Sequence, residues 1–167
     1  MQGFARAGQH ASMTRSISAG HRALRCGRRS LARCCYLLTA TTWQRRRVFD
    51  DFPLAASACR AFIAAVPEDA SLLAWVLMPD HVHWLVQLGD VTPLARTVSR
   101  MKAASTRAVN EQRGVRGAVW TRAYHDRALR KEDDLRIAAR YLIANPLRAG
   151  LVERVGAYPF WDAIWLP

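Results

Sequence analysis

Residues 71–88 read SLLAWVLMPDHVHWLVQL. Two apolar runs of strand length flank Pro79-Asp80, a dipeptide suited to a tight turn. The pattern predicts a β-hairpin with strands over 71–78 and 81–88. Side chains alternate along a strand. Val82, Trp84, Val86 and Leu88 therefore share one face, and His81, His83, Leu85 and Gln87 share the other. The first set is wholly apolar and is expected to pack on helices. The histidines then stand opposite, two residues apart, close enough for both imidazoles to hold one metal ion. Two imidazoles leave a coordination shell open, which suits catalysis because substrate or water completes it. A half-exposed strand also carries such histidines as ordinary polar residues. A third ligand and a nucleophile would separate the two readings.

Working outward, CYLLTATTWQ (35–44) is rich in β-branched and aromatic residues and predicts a strand. PLAASACRAFIAAV (53–66) predicts a helix with Pro53 at its start. A second helix is expected from Thr92 as N-cap and Pro93 as first helical residue to about Asn110. Its apolar stripe is Leu94, Val98, Met101 and Ala108, and Arg96, Arg100 and Arg107 recur on another face. RGVRG (113–117) reads as a loop and residues 118–129 as a short strand or extended segment. A last helix is predicted over 131–145, with Glu132, Asp133 and Asp134 favouring its dipole and Pro146 ending it. Strands and helices alternating around a central hairpin define an α+β sandwich.

On that last helix Tyr141 and Asn145 are four residues apart and share a face. A tyrosine hydroxyl can attack phosphorus and form a covalent intermediate. An amide oxygen can act as a hard metal ligand. If this face meets the histidine face of the sheet, metal, third ligand and nucleophile come together. Otherwise Tyr141 is a core aromatic and Asn145 the polar end of a helix. YHDR (124–127) offers a competing cluster, with Tyr124 as nucleophile and His125 as third ligand. Asp126 and Arg130 read as structural or substrate-positioning residues.

The formal net charge is +12, which points to a polyanionic partner, most simply nucleic acid. The first 49 residues carry ten arginines and no acid, so the excess is mostly N-terminal. Residues 1–27 lack a clear period and read as a basic, disordered extension. An acid-free Arg/Ser-rich start is also the composition of a transit peptide. Cys26, Cys34, Cys35 and Cys59 form no CxxC pair, and no secretory apolar segment precedes them, so reduced thiols in a cytoplasm are expected. No window reaches the ~18 apolar residues of a membrane span.

MPDHVHWLVQL (78–88) resembles the His-apolar-His (HUH) motif of single-tyrosine transposases. VWTRAYHDRALRKEDDLRIAARYLIANPLRAGLVERVGAYPFWDA (119–163) resembles the C-terminal signature of REP-associated tyrosine transposases, which act in the same insertion-sequence superfamily. That signature runs W-x-x-x-Y/F-x-D/H-x-x-x-R, then Y-I-x-x-N-P-x-x-A-G-L-V. Leu142 stands where isoleucine is common. RRSLARCCYLLTATTWQRRRVF (28–49) is similar to the family's opening strand. The resemblance spans residues 28–165, so one transposase domain is expected over 28–167, outside the 1–27 extension.

The resemblance implies a ferredoxin-like sandwich, with a central antiparallel sheet, helices on one face and the active site on the other. It implies Tyr141 as nucleophile, His81 and His83 as metal ligands, Asn145 as a further ligand, and Mg²⁺ or Mn²⁺ as the metal. Transesterification by tyrosine would leave a 5′-phosphotyrosine and a free 3′-OH, so rejoining needs no ATP. The implied substrate is a single-stranded DNA hairpin from a repetitive extragenic palindrome. The protein would act as monomer or homodimer, on the bacterial nucleoid in the cytoplasm and without a membrane. Arg28, Arg29, Arg45, Arg46 and Arg47 would contact phosphates or a hairpin stem, and Arg96, Arg100 and Arg107 would line a groove. Trp120, Tyr124 and Trp161 could stack on bases or pack in the core. Two other readings stay open. One is a nucleic-acid-binding protein on the same fold without cleavage. The other is a metal-dependent phosphodiesterase with water as nucleophile.

Overall fold

The computed structural model describes residues 32–129 and 132–165, with the side chains of 132–134 left out. Arg28, Arg29, Arg130 and the extension over 1–27 lie outside the described residues. The first strand, β1, spans Cys35–Thr41. It ends before Trp43 rather than continuing to Gln44, because residues 43–45 and 48–50 turn in two short 3-10 segments. Helix α1 (Phe52–Ala64) follows; its N-cap is Asp51, whose carboxylate accepts the Leu54 N–H at 3.0 Å.

The hairpin forms as its pattern predicts, with β2 over Ser71–Met78 and β3 over His81–Gln87. Helix α2 runs Leu94–Arg113. Its N-cap is Pro93, not Thr92, whose N–H instead donates to the Asp69 carboxylate at 2.7 Å. The helix also outruns the expected end at Asn110 and stops where Gly114 takes a left-handed conformation, φ 63°. Its buried face is Leu94, Thr97, Val98, Met101, Ser105 and Val109, with Ala108 at the margin. Strand β4 (His125–Leu129) precedes helix α3 (Glu132–Ile143). Pro146 does not end the helical path. The chain breaks at Ala144 and restarts as a single turn, α4 (Asn145–Arg148), where a proline in the first turn costs no hydrogen bond. A short β5 (Trp161–Ala163) closes the fold.

The strands form one antiparallel sheet in the order β4-β1-β3-β2-β5, so β3 lies at its centre. The first four strands with α1 and α2 make the ferredoxin-like α+β sandwich. On one face Tyr36, Leu38, Trp75, Val82, Trp84 and Val86 pack with α1 and α2 in the larger core. Phe62 of α1 meets both Trp75 and Trp84 edge-on. The other face is not bare, contrary to the expectation of helices on one side only. The Leu135, Ala138, Ala139 and Leu142 stripe of α3 covers Ala74, Val76, Met78 and Leu85 there. This second core exists because β2 is apolar on both faces.

Candidate active site

Strand register places the histidines. His81 pairs across with Thr41 on β1 and Met78 on β2, and His83 with Thr39 and Val76. Directly paired residues point to the same face. His81 and His83 therefore stand on the α3 side of the sheet, as the alternation predicts. Their rings are 4.9 Å apart, edge to face at 85°.

Each ring is fixed through Nδ1. His81 Nδ1 lies 2.6 Å from Asp80 Oδ1, and His83 Nδ1 lies 2.8 Å from Thr39 Oγ1. Nε2 of each ring is thereby left for a ligand. This is the arrangement that orients metal-binding imidazoles in known sites. Arg45 reaches the other Asp80 oxygen at 3.3 Å. Burial opposes ionisation of Asp80, but the hydrogen bonds and charges of His81 and Arg45 outweigh it and hold its carboxyl below the usual value. Burial, aided by His81 and Arg148, pushes His83 down to about 4. His83 is thus neutral near pH 7, the form that binds a metal. On these grounds the pair fits two ligands of a divalent ion.

Tyr141 lies on α3, next to the buried Leu142, and is 60% exposed. Packing of α3 on β2 and β3 brings the tyrosine's helix to the histidine face. The face of α3 buried there is Leu135, Ala138, Ala139 and Leu142, and Tyr141 lies outside it. Asn145 begins α4, and its amide is engaged locally. Nδ2 donates to the Leu142 carbonyl at 2.8 Å, and Oδ1 accepts from Arg148 at 2.7 Å. That bond uses one of the oxygen's two lone pairs, so a metal there would share it with the guanidinium. Among the described residues no group of three or more His, Cys, Asp and Glu could hold a metal ion.

The competing cluster divides between the two faces. Tyr124 packs against the α1/α2 core, whereas His125 pairs with Thr39 and faces the histidine side, two strands over from His83. Tyr158 is no nucleophile: its hydroxyl donates to the Leu77 carbonyl, and burial pushes it up to about 12. Trp120 is core, with Nε1 donating to Ser105 Oγ at 2.9 Å; Trp161 is half-buried and donates to the Val155 carbonyl. The described cysteines, Cys34, Cys35 and Cys59, are free thiols.

The arginines separate as well. Arg45 sits at the His81 end of the sheet, Arg46 bonds Gln44, and Arg47 pairs with Asp50. Arg96, Arg100 and Arg107 line an open groove of about 740 Å³ between α1 and α2, floored by alanines such as Ala64 and Ala104. That groove lies on the helical layer opposite the histidine face. Asp80, Thr39 and Arg148 had no site role in the sequence reading. Asp80 is adjacent to His81, but only the β1–β3 register shows Thr39 facing His83.

Comparison with known proteins gives the family and agrees with the fold. The family model described as "Transposase IS200 like" matches residues 30–145, and the chain belongs to that family. A REP-associated tyrosine transposase of Escherichia coli K12 is 30% identical over 89 residues, covering 52% of this chain and 50% of that protein. A Haemophilus influenzae protein assigned provisionally to the same group is 28% identical over 98 residues, covering 53% and 56%. The chain thus spans about half the length of these curated relatives. A structure of a REP-associated tyrosine transposase bound to a REP hairpin superposes with TM-score 0.63 at 20% identity, over 80% of this chain and 79% of that one. That likeness extends the agreement in fold beyond the matched sequence. Among the described residues no helix is long and apolar enough to cross a membrane.

Proposed function

We propose that this chain is a single-strand DNA transesterase that uses Tyr141 as nucleophile. The observation that carries the reading is an exposed tyrosine on a helix packed against the sheet face that presents two oriented histidines. The phenolic oxygen bonds to the scissile phosphorus as the bond to the 3′ oxygen breaks. The phenol proton goes to solvent and the leaving 3′ oxygen takes one up, giving a 5′-phosphotyrosine and a free 3′-OH. Energy of the phosphodiester is conserved, so the 3′-OH can reverse the step.

His81 and His83 would hold a divalent ion through Nε2, with Asn145 Oδ1 as a further ligand. Bound there, Mn²⁺ or Mg²⁺ would polarise the scissile phosphate and offset its developing charge. Asp80 and Thr39 keep the two imidazoles aimed. The substrate class is a folded palindromic hairpin, by analogy with the hairpin in the similar structure. Arg28, Arg29, Arg45, Arg46 and Arg47 would contact phosphates or the hairpin stem, and Arg96, Arg100 and Arg107 would do so on the helical layer. Residues 28–167 would form the working domain, behind a basic extension over 1–27. The protein would act on the nucleoid of a bacterial cytoplasm, as monomer or homodimer.

The test is covalent trapping. Wild type and Tyr141→Phe are incubated with labelled hairpins from DNA flanking the gene, with Mn²⁺ or Mg²⁺, and resolved on a denaturing gel. A metal-dependent protein–DNA adduct, absent from Tyr141→Phe, is expected. Cleavage that leaves no adduct and persists in the variant would establish water as nucleophile. Binding without cleavage, across several hairpins and both metals, would establish a DNA-binding protein.

A further inference from the structure

Arg148 ties together groups that the sequence assigns separately. It ends α4, seven residues after Tyr141. Its guanidinium carbon lies 3.7 Å from the centre of the Tyr141 ring. The same guanidinium donates to Asn145 Oδ1 at 2.7 Å.

The tyrosine needs such a partner. Its ring is 60% exposed, and no hydrogen bond of its hydroxyl occurs among the described residues. An exposed tyrosine with a free hydroxyl samples several side-chain rotamers. In-line attack on phosphorus requires one of them. A cation over the ring face selects among rotamers without occupying the hydroxyl. The planar fork of arginine can stack flat on the ring and donate an in-plane hydrogen bond at once, a geometry that the point charge of lysine does not reproduce. The break at Ala144 and the extra turn of α4 bring the guanidinium back over the ring.

We propose that Arg148 is the positioning residue for Tyr141, its guanidinium clamped between the phenol face and Asn145 so that the ring is held in one rotamer. The proposal rests on Tyr141 as the nucleophile. It assigns Arg148 no contact with the scissile phosphate.

Single-turnover adduct formation with a labelled hairpin and Mn²⁺ tests it, alongside DNA binding by the same proteins. Arg148→Ala is expected to slow adduct formation at saturating DNA by about tenfold or more, with DNA affinity changed less than about threefold. Arg148→Lys is expected to be slow as well, and added guanidinium ion is expected to restore part of the Arg148→Ala rate. An unchanged rate, or a loss confined to affinity, would overturn the proposal; so would a fully active Arg148→Lys. A second readout needs no activity. The ring current of Tyr141 should move the Arg148 δ-methylene protons upfield in the NMR spectrum. That shift should persist in Tyr141→Phe and vanish in Tyr141→Ala. Wild type without adduct but with the shift would defeat the nucleophile reading and leave the clamp standing. Absence of the shift in wild type would defeat the clamp itself.

Discussion

Thr39 and His83 sit directly across from one another on β1 and β3, and Thr39 Oγ1 lies 2.8 Å from His83 Nδ1. The contact fixes which imidazole nitrogen faces the site. Asp80 does the same for His81 at 2.6 Å. Loss of such supports typically costs ~10–100-fold in metal affinity. Thr39→Val and Asp80→Asn should therefore each weaken Mn²⁺ binding by about tenfold, read by titration with electron paramagnetic resonance. Wild-type affinity in both variants would show that these imidazoles do not bind the ion.

His83 makes stability depend on pH. Its imidazole is pushed from 6.5 down to about 4, chiefly by burial. The unfolded chain takes up this proton near pH 6.5, but the folded chain only near 4. The contribution is therefore fully present above the unfolded value and is lost as pH falls through the folded one. The loss is on the order of 3 kcal/mol. Urea melts near neutral pH and near pH ~4 should show wild type losing more stability than His83→Asn by that order. Parallel losses would count against a buried neutral ring.

Arg96, Arg100 and Arg107 line a groove on the layer opposite the histidines. Changing all three to glutamine should lower hairpin affinity and reduce the slope of log K against log salt by about 2–3. The rate of adduct formation at saturating DNA should stay the same. An unaltered salt slope would leave the groove without a role in DNA binding.

Gly89 follows β3 where the chain passes against Asp69, and a methyl group there would collide with the Asp69 backbone carbonyl. Asp69 in turn holds the Val91 and Thr92 N–H groups with one carboxylate oxygen. Gly89→Ala should cost about 1–3 kcal/mol in a chemical melt, because backbone cannot yield as a side chain does. A neutral substitution would show that this loop is free to shift.

Local pattern carried much of the fold. Alternation over 81–84 marked the two faces of β3, and Pro53 marked the start of α1. What escaped depends on contacts distant in sequence. Thr92 looks like an N-cap in isolation, but Asp69, 23 residues away, claims its N–H. Pro146 looks like a helix stop, yet a proline in a first turn is compatible with a new helix, and that turn carries Arg148 to Tyr141. Helix α3 was legible from its acidic first turn, but not which sheet face it would cover. The histidine spacing and Tyr141 were visible as chemistry. Their supports, Thr39 and Arg148, became visible only through strand register and the α3–α4 break.

The central place of β3 divides the site by durability. Strand β3 is bonded on both sides and carries residues of both cores, whereas α3 is held by one stripe and leaves Ile137 and Tyr141 exposed. Amides of β3 should exchange with deuterium only through global unfolding, and those of α3 through cheaper local opening. A DNA end joined to Tyr141 would thus be carried on the part of the molecule that can lift away and return, while the histidines stay as a fixed anvil beneath it.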